Sequence, residues 1–96
     1  MNTIRDAVNL ERELVSECQR YREDTTPLSS RGSGYFTFTL YYHLDKNWGQ
    51  RVVTYREAGK VLDVWVFPRE SLREATLNHF ETLQQAVLDY QEASQA

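Results

Sequence analysis

The sequence predicts a single α+β domain, built from a three-stranded antiparallel meander sheet and two amphipathic helices. Its 96 residues are enough for one domain and too few for two. A segment in the middle of the chain alternates apolar and polar residues, which is typical of a β-strand. The segments near both ends repeat apolar residues with helical spacing. The predicted element order over residues 1–96 is therefore α-β-β-β-α.

The first helix is predicted over about residues 3–23. Thr3 is a suitable N-cap, and Asp6 three residues later completes a weak form of the capping box. Glu11 falls near the middle of the apolar stripe, so we expect its carboxylate either to lie at an uncovered helix edge or to pair with a cation. The stripe itself consists of Ile4, Ala7, Val8, Leu14, Val15, Cys18 and Tyr21.

A loop is predicted over residues 24–34, because Pro27 ends any preceding helix and the run from Thr25 to Gly34 is rich in small polar residues. The backbone amides of this run, together with Arg31, could cradle a phosphate. The run lacks the spacing and the lysine of a P-loop and does not lead into a helix. A plain connector is therefore the favoured interpretation.

Three strands are predicted over about residues 35–44, 51–58 and 61–67. The first hairpin is predicted to have a four-residue loop over residues 45–48, followed by Gly49 with a positive φ. The second hairpin is predicted to turn at Gly59 and Lys60, which have the composition of a type II′ turn.

These loop lengths set the register of the predicted sheet. They place Leu40 opposite Val53, and Val53 opposite Val66, so that apolar residues meet across the strands. One sheet face then forms the core and is covered by both helical stripes. This face consists of Phe36, Phe38, Leu40, Tyr42, Val53, Tyr55, Leu62, Val64 and Val66.

The second helix is predicted over about residues 69–93, and Ser71 with Glu74 forms a capping box at its start. Leu77 and Leu88 point away from its apolar stripe and lie three turns apart on one side. We expect these two leucines to form a secondary interface. The buried stripe consists of Leu72, Ala75, Phe80, Leu83, Ala86, Val87 and Tyr90.

The second face of the predicted sheet is too apolar to be left in contact with water without a reason. Either a helix or the 25–34 loop covers it, or a partner or a second copy does. In the second case, Trp65, Phe67 and Tyr41 are the anchors of a protein interface. The full set of predicted partner-binding residues is Trp65, Phe67, Tyr41, Val52, Thr39, Thr54 and His43.

Composition excludes several classes of function. The net charge is −3, which lacks the basic excess that nucleic-acid-binding domains usually carry. The single cysteine, Cys18, has no partner for an internal disulfide or a zinc site. No segment approaches the length of a signal peptide or a membrane span, so we expect a soluble cytoplasmic protein with no cofactor.

No catalytic set of residues is identifiable, and we therefore expect a protein that is not an enzyme. Cys18 lies on the apolar stripe of the first helix, where a buried thiol is inert. A catalytic use of Glu11, Glu57 or Asp63 with His43 would need these side chains in one cleft. The predicted register instead places Glu57 and Asp63 on opposite faces of the sheet.

The order helix–strand–strand–strand–helix resembles the topology of the double-stranded-RNA-binding domain. In that family the last helix opens with a lysine cluster that contacts phosphates. The matching stretch here, residues 68–74, has balanced charges, and the first hairpin loop lacks the signature of that family. The resemblance therefore covers topology and implies no function.

The leading hypothesis from the sequence is a non-enzymatic protein-interaction module, such as a small adaptor, inhibitor or regulatory subunit. We expect it to bind a protein partner through the aromatic sheet face and to form a homodimer. The alternative is that the same face binds a small ligand or single-stranded nucleic acid by stacking, although such sites normally lie beside a basic groove.

Overall fold

The chain folds into three layers, with an antiparallel sheet between two helices. The computed structural model describes residues 4–18, 20–26 and 34–95. Two helices and an antiparallel sheet confirm the predicted α+β class, although the sheet has five strands rather than three. The elements are α1 (Ile4–Glu17), β1 (Arg20–Thr26), β2 (Tyr35–His43), β3 (Trp48–Glu57), β4 (Lys60–Val66), β5 (Glu70–Ser71) and α2 (Leu72–Gln95).

Strand β1 lies where the sequence predicted the end of the first helix and the start of the loop. Helix α1 ends at Glu17, and β1 then pairs antiparallel with β2, so that Tyr21 lies opposite Tyr41. The helical prediction is wrong here because β1 satisfies the backbone N–H and C=O groups along one edge of β2. The rest of the predicted loop, residues 27–33, lies outside the described residues.

Strands β2 and β3 pair two residues away from the predicted register. Phe38, rather than Leu40, lies opposite Val53. The loop between the strands begins one residue earlier than predicted, and Asn47 rather than Gly49 has the positive φ, at 54°. Because the shift is an even number of residues, each side chain stays on its predicted face.

Strand β4 is shifted by one residue relative to the prediction, and this reverses its two faces. Trp65, rather than Val66, lies opposite Val53. The turn begins one residue earlier than predicted, at Ala58 and Gly59, which have the positive φ values of 50° and 79° that a type I′ turn requires. The earlier turn alone would shift the pairing by two residues and keep the faces. A bulge between Tyr55 and Arg56 reduces the shift to one residue, and this reverses the faces. Trp65 therefore points to the same side of the sheet as Val53.

The two helices cover opposite faces of the sheet, so a helix of the chain itself covers the second face, one of the two alternatives that the sequence left open. Leu14 of α1 packs against Tyr41 and Val52. On the other side, α2 crosses β2 and β3. Ala75 of α2 lies so close to the backbone of Gly49 that a Cβ added to Gly49 would be 2.7 Å from the Cβ of Ala75. The five central residues of β2 are consequently all buried, whichever face they point to.

Each helix leaves uncovered several apolar residues that the sequence assigned to its buried stripe. In α1 only Ala7 and Leu14 are fully buried, and among residues 72–92 of α2, whose burial the structure describes, only Ala75 and His79 are. A helix that packs on a sheet buries a line of residues narrower than the whole apolar stripe. Within α1 and α2, the predicted stripe residues that are exposed are Ile4, Val8, Val15, Phe80 and Val87.

Candidate binding groove

An apolar groove lies between α2 and the part of the sheet formed by β3 and β4. It encloses about 360 Å³ and exists because α2 packs mainly on β2 and β3, which leaves its side of β4 uncovered. We call this feature the aromatic groove. Its lining residues are Phe36, Phe38, Val53, Trp65, Phe67, Thr82, Ala86, Asp89 and Tyr90.

Phe36 is at the centre of the aromatic wall of the groove. Its ring centroid lies 5.0 Å from that of Tyr55, 6.1 Å from that of Trp65 and 6.2 Å from that of Phe38. These separations are in the range in which aromatic pairs attract each other. Tyr55 is completely buried, whereas Trp65 is 40% exposed. The cluster is therefore anchored at its base and presents one aromatic ring to solvent.

Arg51 lies at the end of the groove formed by Phe67 and Thr82. Its guanidinium carbon is 4.2 Å from the centroid of the Phe67 ring. Its η nitrogens lie 3.4 Å from the Thr82 hydroxyl and 3.5 Å from a carboxylate oxygen of Glu70. The other carboxylate oxygen of Glu70 accepts a 2.8 Å hydrogen bond from Asn78. The cation is thus neutralised and helps to fix the start of α2 against the sheet.

The helical edge of the groove is acidic. Asp89 lines the groove and is exposed, and its carboxylate accepts a 2.8 Å hydrogen bond from Gln85 one turn earlier. Glu81 borders a shallow depression that adjoins the groove along α2. A ligand in the groove therefore meets aromatic rings on the sheet side and the carboxylate of Asp89 on the helix side.

The sheet residues that the sequence grouped on one aromatic face are divided between two faces. Trp65 and Phe67 line the aromatic groove on the α2 side. The prediction of one continuous face is wrong, because the one-residue shift of β4 moved these two residues to the other side. The remaining members of the group are buried on the opposite face, with exposures of 5% for Thr39, 4% for Tyr41, 1% for Val52 and 5% for Thr54.

The last predicted partner-binding residues lie outside the groove. His43 is at the end of β2, where its ring centroid is 6.2 Å from that of Trp48 and its Nδ1 accepts a 3.1 Å hydrogen bond from the Lys46 N–H. Leu77 and Leu88 of α2 are 52% and 45% exposed, so the predicted direction of these two side chains is confirmed.

Among the described residues, the carboxylate of Glu11 adopts neither of its two predicted arrangements, which were an uncovered helix edge and a pair with a cation. Its carboxylate accepts a 2.5 Å hydrogen bond from the hydroxyl of Tyr41, which is buried beneath α1. Burial of the phenol, and then the hydrogen bond to Glu11, raise the pKa of Tyr41 well above its ordinary value of 10.0. The carboxylate therefore lies in the apolar stripe because the sheet supplies a hydroxyl donor beneath it.

We expect the Tyr41→Phe protein to lose stability at neutral pH and to be less sensitive to alkaline pH. The native pKa of Tyr41 is raised above the unfolded value of about 10, so its contribution is fully present below that pH and is lost as the pH rises further. Above pH 10 the wild-type protein should lose about 1.4 kcal/mol per pH unit more than the variant.

Urea unfolding between pH 7 and pH 11 measures this difference. Tyr21→Phe is the matched control, because Tyr21 lies beside Tyr41 on β1 but is 56% exposed. Equal alkaline slopes for the wild-type and Tyr41→Phe proteins would contradict the proposed role of the buried phenol.

The aromatic groove includes residues that sequence reasoning missed as site residues. Phe36, Phe38 and Tyr90 were assigned to the core, and Thr82 and Asp89 were not singled out. The alternation of β2 correctly placed both phenylalanines on the helix-covered face. Only the lateral position of α2 on the sheet shows that they line a groove, and no sequence pattern reports that position.

The chain matches no known protein family, no curated protein and no solved structure. Among residues 4–18, 20–26 and 34–95, no three His, Cys, Asp or Glu side chains are grouped so that they could hold a metal ion. No helix within these ranges is long and apolar enough to cross a lipid bilayer. The geometry of the groove therefore carries the functional argument.

Proposed function

We propose that this protein is a non-enzymatic protein-interaction module, an adaptor, inhibitor or regulatory subunit, whose binding site is the aromatic groove. The observation that carries the proposal is Trp65, which is 40% exposed although it belongs to a packed aromatic cluster. Tryptophan is among the residue types that contribute most binding energy at protein interfaces. Its position in a concave, apolar site makes it the natural anchor for a partner side chain.

The charges of the groove indicate the chemistry of the partner. The sheet side of the groove is aromatic, and Asp89 places a carboxylate on the helix side. A partner segment with a large apolar or aromatic residue flanked by lysine or arginine would complement both sides. We therefore propose a basic, aromatic peptide segment as the occupant.

Selection of peptides from a displayed random library tests the proposal, because the library covers every combination of side chains that the groove could accept. We expect selected peptides to combine aromatic residues with lysine or arginine, and Trp65→Ala to weaken their binding about tenfold or more. Fluorescence anisotropy with a labelled selected peptide measures the dissociation constant.

Tyr21→Ala is the matched control for this experiment, because Tyr21 is an exposed aromatic residue on the other edge strand and on the other sheet face. It should leave peptide binding unchanged. Selected peptides that bind Trp65→Ala as tightly as the wild type would place the binding site elsewhere and contradict the proposal.

A small apolar ligand is a second candidate occupant of the same groove. One observation favours it, namely that about 360 Å³ falls within the range of small-molecule pockets. A change in tryptophan fluorescence that small aromatic compounds cause in the wild type but not in Trp65→Ala, with no peptide selected above background, would favour this candidate. Single-stranded nucleic acid is disfavoured by the acidic edge of the groove, since phosphates would meet Asp89.

The remaining parts of the proposal follow from the chain as a whole. We place the protein in the cytoplasm, because its single cysteine is typical of chains that do not depend on disulfides. We also propose that it self-associates. The four buried residues of the predicted dimer face are covered by the chain itself, so self-association requires a different surface.

A further inference from the structure

Each helix carries an exposed apolar stripe on a side that its own chain leaves uncovered. On α1 the stripe consists of Ile4, Val8 and Val15, which are 40%, 39% and 54% exposed. On α2 it consists of Leu77 and Leu88, which are 52% and 45% exposed. We call these the α1 stripe and the α2 stripe. Both cover three helical turns, or about 16 Å.

Opposite charges border the two stripes. Arg5 and Arg12 are exposed beside the α1 stripe, and Glu74 and Glu81 are exposed beside the α2 stripe. The members of each charged pair are seven residues apart, which is two helical turns. We call Arg5 and Arg12 the arginine row, and Glu74 and Glu81 the glutamate row. When each helix is viewed from its N-terminus, with 100° of rotation per residue, the arginine row lies on the same rotational side of the α1 stripe as the glutamate row does of the α2 stripe. The two surfaces are therefore alike in length and complementary in charge.

We infer that copies of this chain associate head to tail, with the α1 stripe of one copy packed antiparallel against the α2 stripe of the next. Antiparallel packing brings the same rotational sides of two helices together, so the arginine row meets the glutamate row. When the two stripes are aligned end to end, Arg12 lies within about 2 Å of Glu81 along the helix axis. A parallel arrangement would place the two rows on opposite sides of the contact.

The interface is head to tail because α1 and α2 lie on opposite faces of the sheet. One copy therefore cannot place both of its stripes against the matching stripes of a single partner. An open assembly retains one free α1 stripe at one end and one free α2 stripe at the other, so the contact repeats into an open chain or closes into a ring. The α2 stripe points away from the sheet, so this association leaves the aromatic groove open and is independent of the proposed function.

Two variants that each disable one stripe test the inference. Val15→Glu places a carboxylate opposite the acidic row, and Leu88→Lys places a cation near the arginine row. A contact of three helical turns is small and weak, so association is measured by sedimentation equilibrium at concentrations up to about 1 mM. The wild-type protein should then show masses above that of a dimer. Each variant alone should be monomeric, with the dissociation constant raised about tenfold or more.

Mixing the two variants distinguishes a head-to-tail contact from every symmetric one. The Val15→Glu copy keeps an intact α2 stripe, and the Leu88→Lys copy keeps an intact α1 stripe. An equimolar mixture should therefore form a 1:1 dimer that does not extend further. A mixture that stays monomeric, or a wild-type protein that is monomeric at about 1 mM, would overturn the inference.

Charge exchange tests the same contact without altering its apolar residues. Arg12→Glu and Glu81→Arg should each weaken association, and the double variant should restore it. Glu13→Arg is the matched control, because Glu13 is exposed on the side of α1 that points away from the stripe and from the arginine row. Circular dichroism establishes that every variant is folded. Self-association that neither stripe variant affects would assign the interface to another surface.

Discussion

Replacing Leu14 with alanine is expected to lower the free energy of unfolding by about 2–5 kcal/mol. Leu14 is 0% exposed and packs against Tyr41 and Val52, and it is one of two fully buried residues of α1. Its truncation removes apolar contacts and leaves a cavity that the rigid sheet cannot fill by relaxing. Small domains have total stabilities of only about 5–15 kcal/mol, so this one change removes a large share.

Urea unfolding followed by circular dichroism measures this loss as a lower midpoint with an unchanged slope. Leu77→Ala is the matched control, because it makes the same chemical change in a helix at a position that is 52% exposed. It should change stability by less than about 0.5 kcal/mol. Equal losses for the two variants would show that α1 is not held by Leu14.

The local features of the fold were predictable because a few adjacent residues determine them. The alternation of β2 is retained in the structure, and its odd and even residues do point to opposite faces. The capping prediction at α2 is also confirmed, since the Ser71 hydroxyl accepts a hydrogen bond from the Glu74 N–H. In both cases the physical cause lies within one element.

The predictions that are wrong concern features of the fold that depend on contacts between residues distant in the sequence. Strand β1 exists because β2 offers a free edge, while Tyr21 had been assigned to the apolar stripe of a helix. The reversal of β4 results from the bulge between Tyr55 and Arg56, which changes the register by one residue and which the pattern of apolar residues does not report. A one-residue change of register reverses the face of every later side chain in the strand, whereas the earlier turn at Ala58 and Gly59 alone would keep the faces.

The candidate site was predicted in part for the same reason. Trp65 and Phe67 were identified as aromatic residues in excess of what a solvated strand needs, and both line the groove. The prediction that Tyr41 and Val52 lie beside them is wrong, because that grouping depended on the register of β4. Composition thus identified the anchors, whereas the pairing between strands decides which other residues surround them.

Gly49→Ala is expected to destabilise the protein by about 1–3 kcal/mol, although alanine is ordinarily the better strand residue. A Cβ at Gly49 would lie 2.7 Å from the Cβ of Ala75 and 3.3 Å from a methyl carbon of Leu40. Gly49 is held between β2 and β5, so neither strand can move away without losing its hydrogen bonds. The substitution must therefore push α2 off the sheet.

A double-mutant cycle with Ala75→Gly isolates this contact. Ala75→Gly alone should cost about 1 kcal/mol, because glycine is unfavourable inside a helix. In the Gly49→Ala background it removes the atom that clashes, so it should cost much less or restore stability. We expect a coupling energy of at least about 1 kcal/mol from urea unfolding of the four proteins. Additivity within about 0.5 kcal/mol would mean that the absent side chain at Gly49 is not what allows α2 to pack against the sheet.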